Sequence, residues 1–190
     1  NKELVSILQE VFAEVKSVRV RPGNLLGYRA DALVSPGNSF GDMGGGVDRE
    51  IDLFFRGQIQ SKVQKMISEK YYGEIPVGMA ELIPTRHRRF RYLLFCPTMR
   101  IPGTIKGSIQ VYLARRALLV CVMRYNQQNP EHPLSHIAMT SLGTGIGGMP
   151  YEDAAQQMRV AWEEIMNEYW KSVRHPVEAP YAYIKNRDNN

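Results

Sequence analysis

Ala32-Leu33-Val34-Ser35-Pro36-Gly37-Asn38-Ser39-Phe40-Gly41-Asp42-Met43-Gly44-Gly45-Gly46-Val47-Asp48 is the stretch whose reading decides the fold. Ala32-Leu33-Val34 is short and wholly apolar, without the alternation of a half-exposed strand, so it reads as a strand covered on both faces. It runs directly into a loop reaching Gly46. From Asp48 to about Tyr72 the apolar spacing is helical, in two pieces hinged near Gly57. Open α/β sheets collect ligands outside the carboxyl ends of such strands. Glycines let successive N–H groups approach one anion, and the helix that follows adds its own free N–H groups and dipole. Chain reversal alone is the competing explanation. Three consecutive glycines lose much conformational entropy on ordering and bring no side chains to pack, which weighs against it.

A second stretch repeats the arrangement. His136-Ile137-Ala138-Met139-Thr140 reads as a strand and opens into Ser141-Leu-Gly-Thr-Gly-Ile-Gly-Gly-Met-Pro150. A final amphipathic helix follows, carrying Ala155, Met158, Trp162, Ile165 and Tyr169. Two such loops side by side would grip a diphosphate from both sides, whereas either alone would leave the simple turn ahead. Neither spells Gly-x-x-x-x-Gly-Lys-Ser/Thr, which argues against an ATPase of that class. Neither spells Gly-x-Gly-x-x-Gly with an acidic residue at the right distance, which argues against a dinucleotide-binding dehydrogenase.

Working outward, Leu4, Ile7, Leu8, Val11, Phe12 and Val15 share one helical face, predicting a helix over 3–16. Val18-Arg19-Val20-Arg21 alternates like a strand that Pro22-Gly23 stops. Residues 79–83 and 92–96 read as strands around the polar turn Arg86-His87-Arg88-Arg89, and Ser108 is placed to cap a helix running to about Tyr125. Alternating strands and helices predict an α/β fold, with helices on both faces of a central mixed sheet.

With 190 residues, 44% hydrophobic and 23% charged, the chain has the size and balance of one globular domain, assigned to 1–175, with a polar, Pro-broken tail over 176–190 that Tyr181 and Tyr183 could tether. No apolar run approaches the ~20 residues that span a bilayer, and Asn1–Phe12 lacks the order of a signal peptide. Cys96 and Cys121 lie in apolar contexts and read as buried thiols, which suggests a reducing, cytoplasmic setting. The four histidines show no ligand spacing, so no metal site is expected. A net charge of +5 favours anionic ligands without choosing among them. Arg86-His87-Arg88-Arg89-Phe90-Arg91-Tyr92 is the one dense basic patch, read as a solvated hairpin tip or as a contact for RNA or an acidic protein.

Taken together, these segments resemble the macro domain family. Asp31-Ala-Leu-Val-Ser-Pro-Gly-Asn38 followed by Gly44-Gly-Gly-Val-Asp48 is similar to that family's Asp-Ala-Ile-Val-Asn-Ala-Ala-Asn and Gly-Gly-Gly-Val-Asp. Gly143-Thr-Gly-Ile-Gly-Gly-Met-Pro150 is similar to its second phosphate loop, and the likeness runs in order over roughly residues 18 to 170. The resemblance implies a three-layer α/β/α fold around a central mixed, mostly parallel sheet, no cofactor, and ADP-ribose or a derivative as ligand, including ADP-ribosylated protein or nucleic acid as partners.

By position, the resemblance places Asn24 and Leu25 beside the adenine and Asn38 on the distal ribose. It places Ser35, Gly44, Gly45, Gly46 and Val47 around that ribose and its phosphate, and Gly143, Thr144, Gly145, Ile146 and Gly147 on the diphosphate. Asp48 and Asn38 stand ten residues apart, as in the hydrolytic members, which implies that Asp48 orients or activates a water at C1″ while Asn38 fixes the ribose hydroxyls. Read on its own, Asp48 could equally be a first-turn acid favoured by the helix dipole, Asn38 an ordinary loop amide and Asp42 a solvated loop residue. Three departures stand out. Asn24 replaces the usual Asp, Ser35 replaces the first Asn, and Gly147 falls where an aromatic commonly closes over the ribose. The Ser-Pro-Gly-Asn-Ser-Phe-Gly wording resembles a divergent fungal branch tied to ADP-ribose 1″-phosphate processing. Three functions follow for comparison: a hydrolase acting at C1″, a reader that only binds ADP-ribose, and a nucleic-acid-binding module using residues 86–91.

Overall fold

The computed structural model describes residues 1–182, and Tyr183, one of the two tyrosines expected to tether the tail, lies outside them. Four strands form one sheet: β1 (Ala30–Ser35), β2 (Glu81–Pro84), β3 (Phe90–Phe95) and β4 (Ile137–Ala138). Their order is β2-β3-β1-β4. β1 runs parallel to β3, from Ala30 opposite Phe90 to Ser35 opposite Phe95, and parallel to β4. β2 pairs antiparallel with β3 as a hairpin, so the sheet is mixed and mostly parallel as predicted. Because β1, β3 and β4 point the same way, the loops that leave them gather at one edge of the sheet. The basic hairpin turn lies at the other.

Alternation along the strands splits the core between the two faces. Ala32, Val34, Leu94 and Cys96 pack against residues of α1 (Lys2–Val11), α4 (Gln110–Gln128) and α5 (Tyr151–Met166). Leu33, Leu93 and Phe95 pack against α2 (Gly46–Phe54) and α3 (Ile59–Tyr71). The three layers follow directly.

α2 and α3 are the two helical pieces expected around Gly57, which takes a φ of 69° beside Arg56 at 61°. The break is held by Asp52, whose Oδ1 accepts from the N–H groups of Ile59 (3.0 Å) and Gln60 (2.9 Å) and so caps α3 from within α2. Ser108 helps to start α4 as expected, its hydroxyl accepting from the Gln110 N–H.

Some expectations need correction. α1 ends at Val11 rather than near residue 16, although Phe12 and Val15 stay buried in the turns beyond it. Val18 and Val20 do pack against the core, but Val18–Arg21 forms no strand. The Val20 carbonyl accepts from the Gln9 side chain (3.5 Å), not from a neighbouring strand. Tyr169 falls in a 3₁₀ turn after α5, because Glu168 turns left-handed (φ 59°) and ends the helix.

Candidate functional site

Ser35, the last residue of β1, is fully buried, and its hydroxyl donates to Oδ1 of Asp48 at 2.6 Å. This bond ties the end of a core strand to the first turn of α2. Between them the loop is shaped by Asn38, only 6% exposed. Its Oδ1 accepts from the N–H groups of Phe40 (3.1 Å) and Asp42 (3.3 Å), and its Nδ2 donates to the Asp42 carbonyl (2.8 Å). Met43 is buried among α2 and α3, with its N–H on the Gln60 side chain (2.7 Å), and Gly44 donates to Oδ1 of Asp42 (3.0 Å). Gly45 then caps α2, leaving the first-turn N–H groups of Gly46, Val47 and Asp48 without an intrahelical acceptor.

The second loop is closed on itself by bonds from the Gly148 N–H to the Gly145 carbonyl and from Met149 to Gly143, both 3.0 Å. Leu142 and Met149 anchor its ends in the core. Its glycines divide into two kinds. A Cβ at Gly147 would stand 2.6 Å from the Gly143 carbonyl oxygen, and one at Gly143 would meet Ile105 and Val111 at 2.7 Å, so both positions are fixed by packing. A Cβ at Gly145 would meet nothing within 4 Å. Ile146 is exposed and reaches across, its Cδ1 lying 3.5 Å from the Cβ position of Gly45 and 4.0 Å from that of Gly46. The two glycine loops therefore face each other across a narrow gap.

A third loop, after β3, was not singled out in the sequence. Thr98 donates to the carbonyls of Pro36 and Gly37, Ser39 donates to Met99, and Ile105 donates to the Gly147 carbonyl (2.8 Å), so this loop braces both others. It also carries Lys106, whose Cε lies 3.8 Å from the Cβ position of Gly148. Ile101-Pro102-Gly103-Thr104-Ile105-Lys106-Gly107 held the signal, a Pro- and Gly-broken segment leaving a buried strand with a cation inside it.

The electrostatics centre on Asp48. Burial raises its carboxyl to about 6, the nearby Asp42 charge pushes the same way, and the Ser35 hydroxyl opposes both. Burial also lifts the Cys96 thiol to about 12 and leaves it unreactive. Beneath the ends of β3 and β4, burial lowers Arg115 to about 10, so it keeps its charge at neutral pH; one guanidinium N–H contacts the Met139 sulfur and Nε has no partner among the described residues.

The Macro domain profile matches residues 34–158, which is most of the chain and includes both glycine loops. The chain belongs to the Macro domain family. An uncharacterized protein of Aquifex aeolicus is 30% identical over 141 residues, covering 74% of this chain and 78% of its own. A macrodomain of Oceanobacillus iheyensis, the G37V mutant with ADPR, superposes with a TM-score of 0.64 at 20% identity over 77% of this chain and 76% of its own. Thermosipho africanus DarTG in complex with ADP-ribose superposes with a TM-score of 0.58 at 17% identity, over 77% of this chain and 37% of its own.

Ser35, Asn38, Gly44–Asp48 and 143–147 gather at the carboxyl edge of the sheet. Asn24 uses its Oδ1 to cap the 3₁₀ turn Leu25–Gly27, accepting from the Leu26 N–H at 2.9 Å. Leu25 packs against the α2/α3 core, and no hydrogen bond joins either residue to the glycine loops among the described residues. No group of three His, Cys, Asp or Glu side chains that could hold a metal ion occurs among the described residues, nor does a helix long and apolar enough to cross a membrane.

Proposed function

We propose that this macro domain binds ADP-ribose and hydrolyses a group, either phosphate or an ADP-ribosyl linkage, at C1″ of the distal ribose. The observation that carries the reading is the Ser35–Asp48 bond. It fixes a carboxyl titrating near 6 in the first turn of α2, beside the gap between two glycine loops. The N–H groups of Gly45–Val47 and Thr144–Gly147 hold the diphosphate, and the α2 dipole adds to that hold. Structural neighbours solved with ADPR and with ADP-ribose support the choice of ligand. With one oxygen held by Ser35, Asp48 uses the other to orient an attacking water and take its proton, which a group titrating near 6 does well at neutral pH. Asn38 spends its amide on residues 40–42, so it supports the ribose wall by shaping the loop as well as by contact.

The test is turnover of ADP-ribose 1″-phosphate, ADP-ribosylated protein and ADP-ribosylated nucleic acid, offered in parallel to the parent and to Asp48→Ala. At least one substrate should be turned over, and Asp48→Ala should slow it by about 10²–10⁴ while ADP-ribose affinity falls far less. A parent that binds ADP-ribose but turns over none of the three is a reader. Undiminished turnover by Asp48→Ala removes the carboxyl from the mechanism.

A further inference from the structure

The pole of the molecule opposite the glycine loops gathers positive charge. Because Ala30 stands opposite Phe90 in parallel register, Arg29 meets the hairpin turn 86–89 at the start of β1 and β3. Six-residue strands separate this edge from Ser35 and Phe95, roughly 16 Å away at strand rise. Two adjoining shallow, open clefts of about 410 and 360 Å³ lie here; Arg86 lines the first, Arg29 the second, and Arg88 and Arg91 line both. Among the described residues, the one carboxylate in their walls, Asp31, is already spent. It accepts from the N–H groups of Ser135 (2.8 Å) and His136 (2.9 Å) and from Arg91 (2.9 Å).

The turn that displays these arginines is held rigid. The Thr85 hydroxyl bonds to the Phe90 carbonyl and accepts from the His87 N–H, and the His87 ring packs edge-on against Phe54 at 4.9 Å and Phe55 at 5.7 Å. Arg89 is tied to the Leu26 carbonyl (3.1 Å), and Arg91 to Pro133 as well as Asp31. Arg29, Arg86 and Arg88 have no ion-pair partner among the described residues. A merely solvated turn has no need to hold like charges together around shared clefts, where they repel each other unless an anion sits between them.

We propose that this pole is a binding surface for the phosphate backbone of a nucleic acid, with Arg29, Arg86, Arg88 and Arg91 gripping neighbouring phosphates in the two clefts. Guanidinium forks match phosphate oxygens bidentately. Among the described residues, none of the exposed large apolar side chains lines either cleft, and such an anchor is what a protein partner would use. Recognition through arginines and backbone phosphates alone is independent of base sequence. The surface does not depend on the ADP-ribose reading and leaves the other pole free.

The experiment is fluorescence anisotropy with a labelled single-stranded oligonucleotide of roughly 12 nucleotides, within the ~4–16 typical of a small single-strand-binding surface. It is run against salt for the parent and for the triple variant Arg29→Ala/Arg86→Ala/Arg88→Ala, with Arg91 spared because it is built into the fold. The parent should bind with a log–log salt slope of about −2 to −3, since each neutralised phosphate contributes about −0.7. The triple variant should bind at least about tenfold more weakly with a shallower slope by about 2, while melting at the parent's temperature. Equal binding and equal slope in the two proteins would overturn the proposal. So would a parent that does not bind, or polyglutamate competing as well as unlabelled oligonucleotide at equal charge.

Discussion

Burial raises the Asp48 carboxyl to about 6, and the sign of its effect on stability follows. The folded protein holds this proton more tightly than the unfolded chain does. Stability therefore falls as pH rises from the ordinary value of 3.8 towards 6, and above about 6 the whole penalty of the ionised, buried group is present. The displacement bounds that penalty at about 3 kcal/mol, and the partial exposure of the side chain reduces it. Asp48→Asn keeps an acceptor for Ser35 and removes the charge. It should be more stable than the parent at about pH 7.5, by roughly 1–3 kcal/mol, and the two should converge near about pH 4. Urea midpoints at the two pH values check this, and an Asn variant less stable at the higher pH would contradict it. The acidic first turn after the glycines was legible in the sequence, and the family resemblance singled out Asp48 within it. The Ser35 bond was not, because serine after an apolar strand carries no signal of a carboxyl thirteen residues on.

At the scale of elements, α3 begins without a side-chain cap at Gln58, and Asp52 supplies the bonds from the preceding helix. Asp52→Ala should cost about 1–2 kcal/mol, read from the urea midpoint, with the glycine loops unaffected; an unchanged midpoint would mean that the break is held by packing alone. The helical pieces and their hinge were readable because periodicity and a single glycine mark them. Val18–Arg21 was misread because alternation reports which side chains are buried, not where backbone groups find partners, and Val20 finds Gln9. The second loop was readable as a loop but not in its parts. Gly143 and Gly147 lie against Ile105 and Val111 or neighbouring backbone, contacts between distant segments, while Gly145 faces open space.

Over the whole molecule, the parallel strands separate two poles. Their carboxyl ends gather the glycine loops, the Asp48 carboxyl and the Lys106 loop, while the amino ends of β1 and β3 gather the arginines. The fold class followed from strand–loop–helix alternation alone. The third loop did not, because its part in the site comes from the β1/β3 pairing, which no local pattern encodes. If the facing loops clamp a diphosphate, as proposed, Gly145 is where a side chain would break that clamp. Its backbone is open to any residue and its Cβ position is empty, so Gly145→Val should fold and melt like the parent. Calorimetry should show the parent binding ADP-ribose with a dissociation constant of about micromolar order, and Gly145→Val weakened by about 100-fold or more as the added side chain meets the phosphates. Parent-like affinity in a well-folded Gly145→Val protein would contradict the clamp.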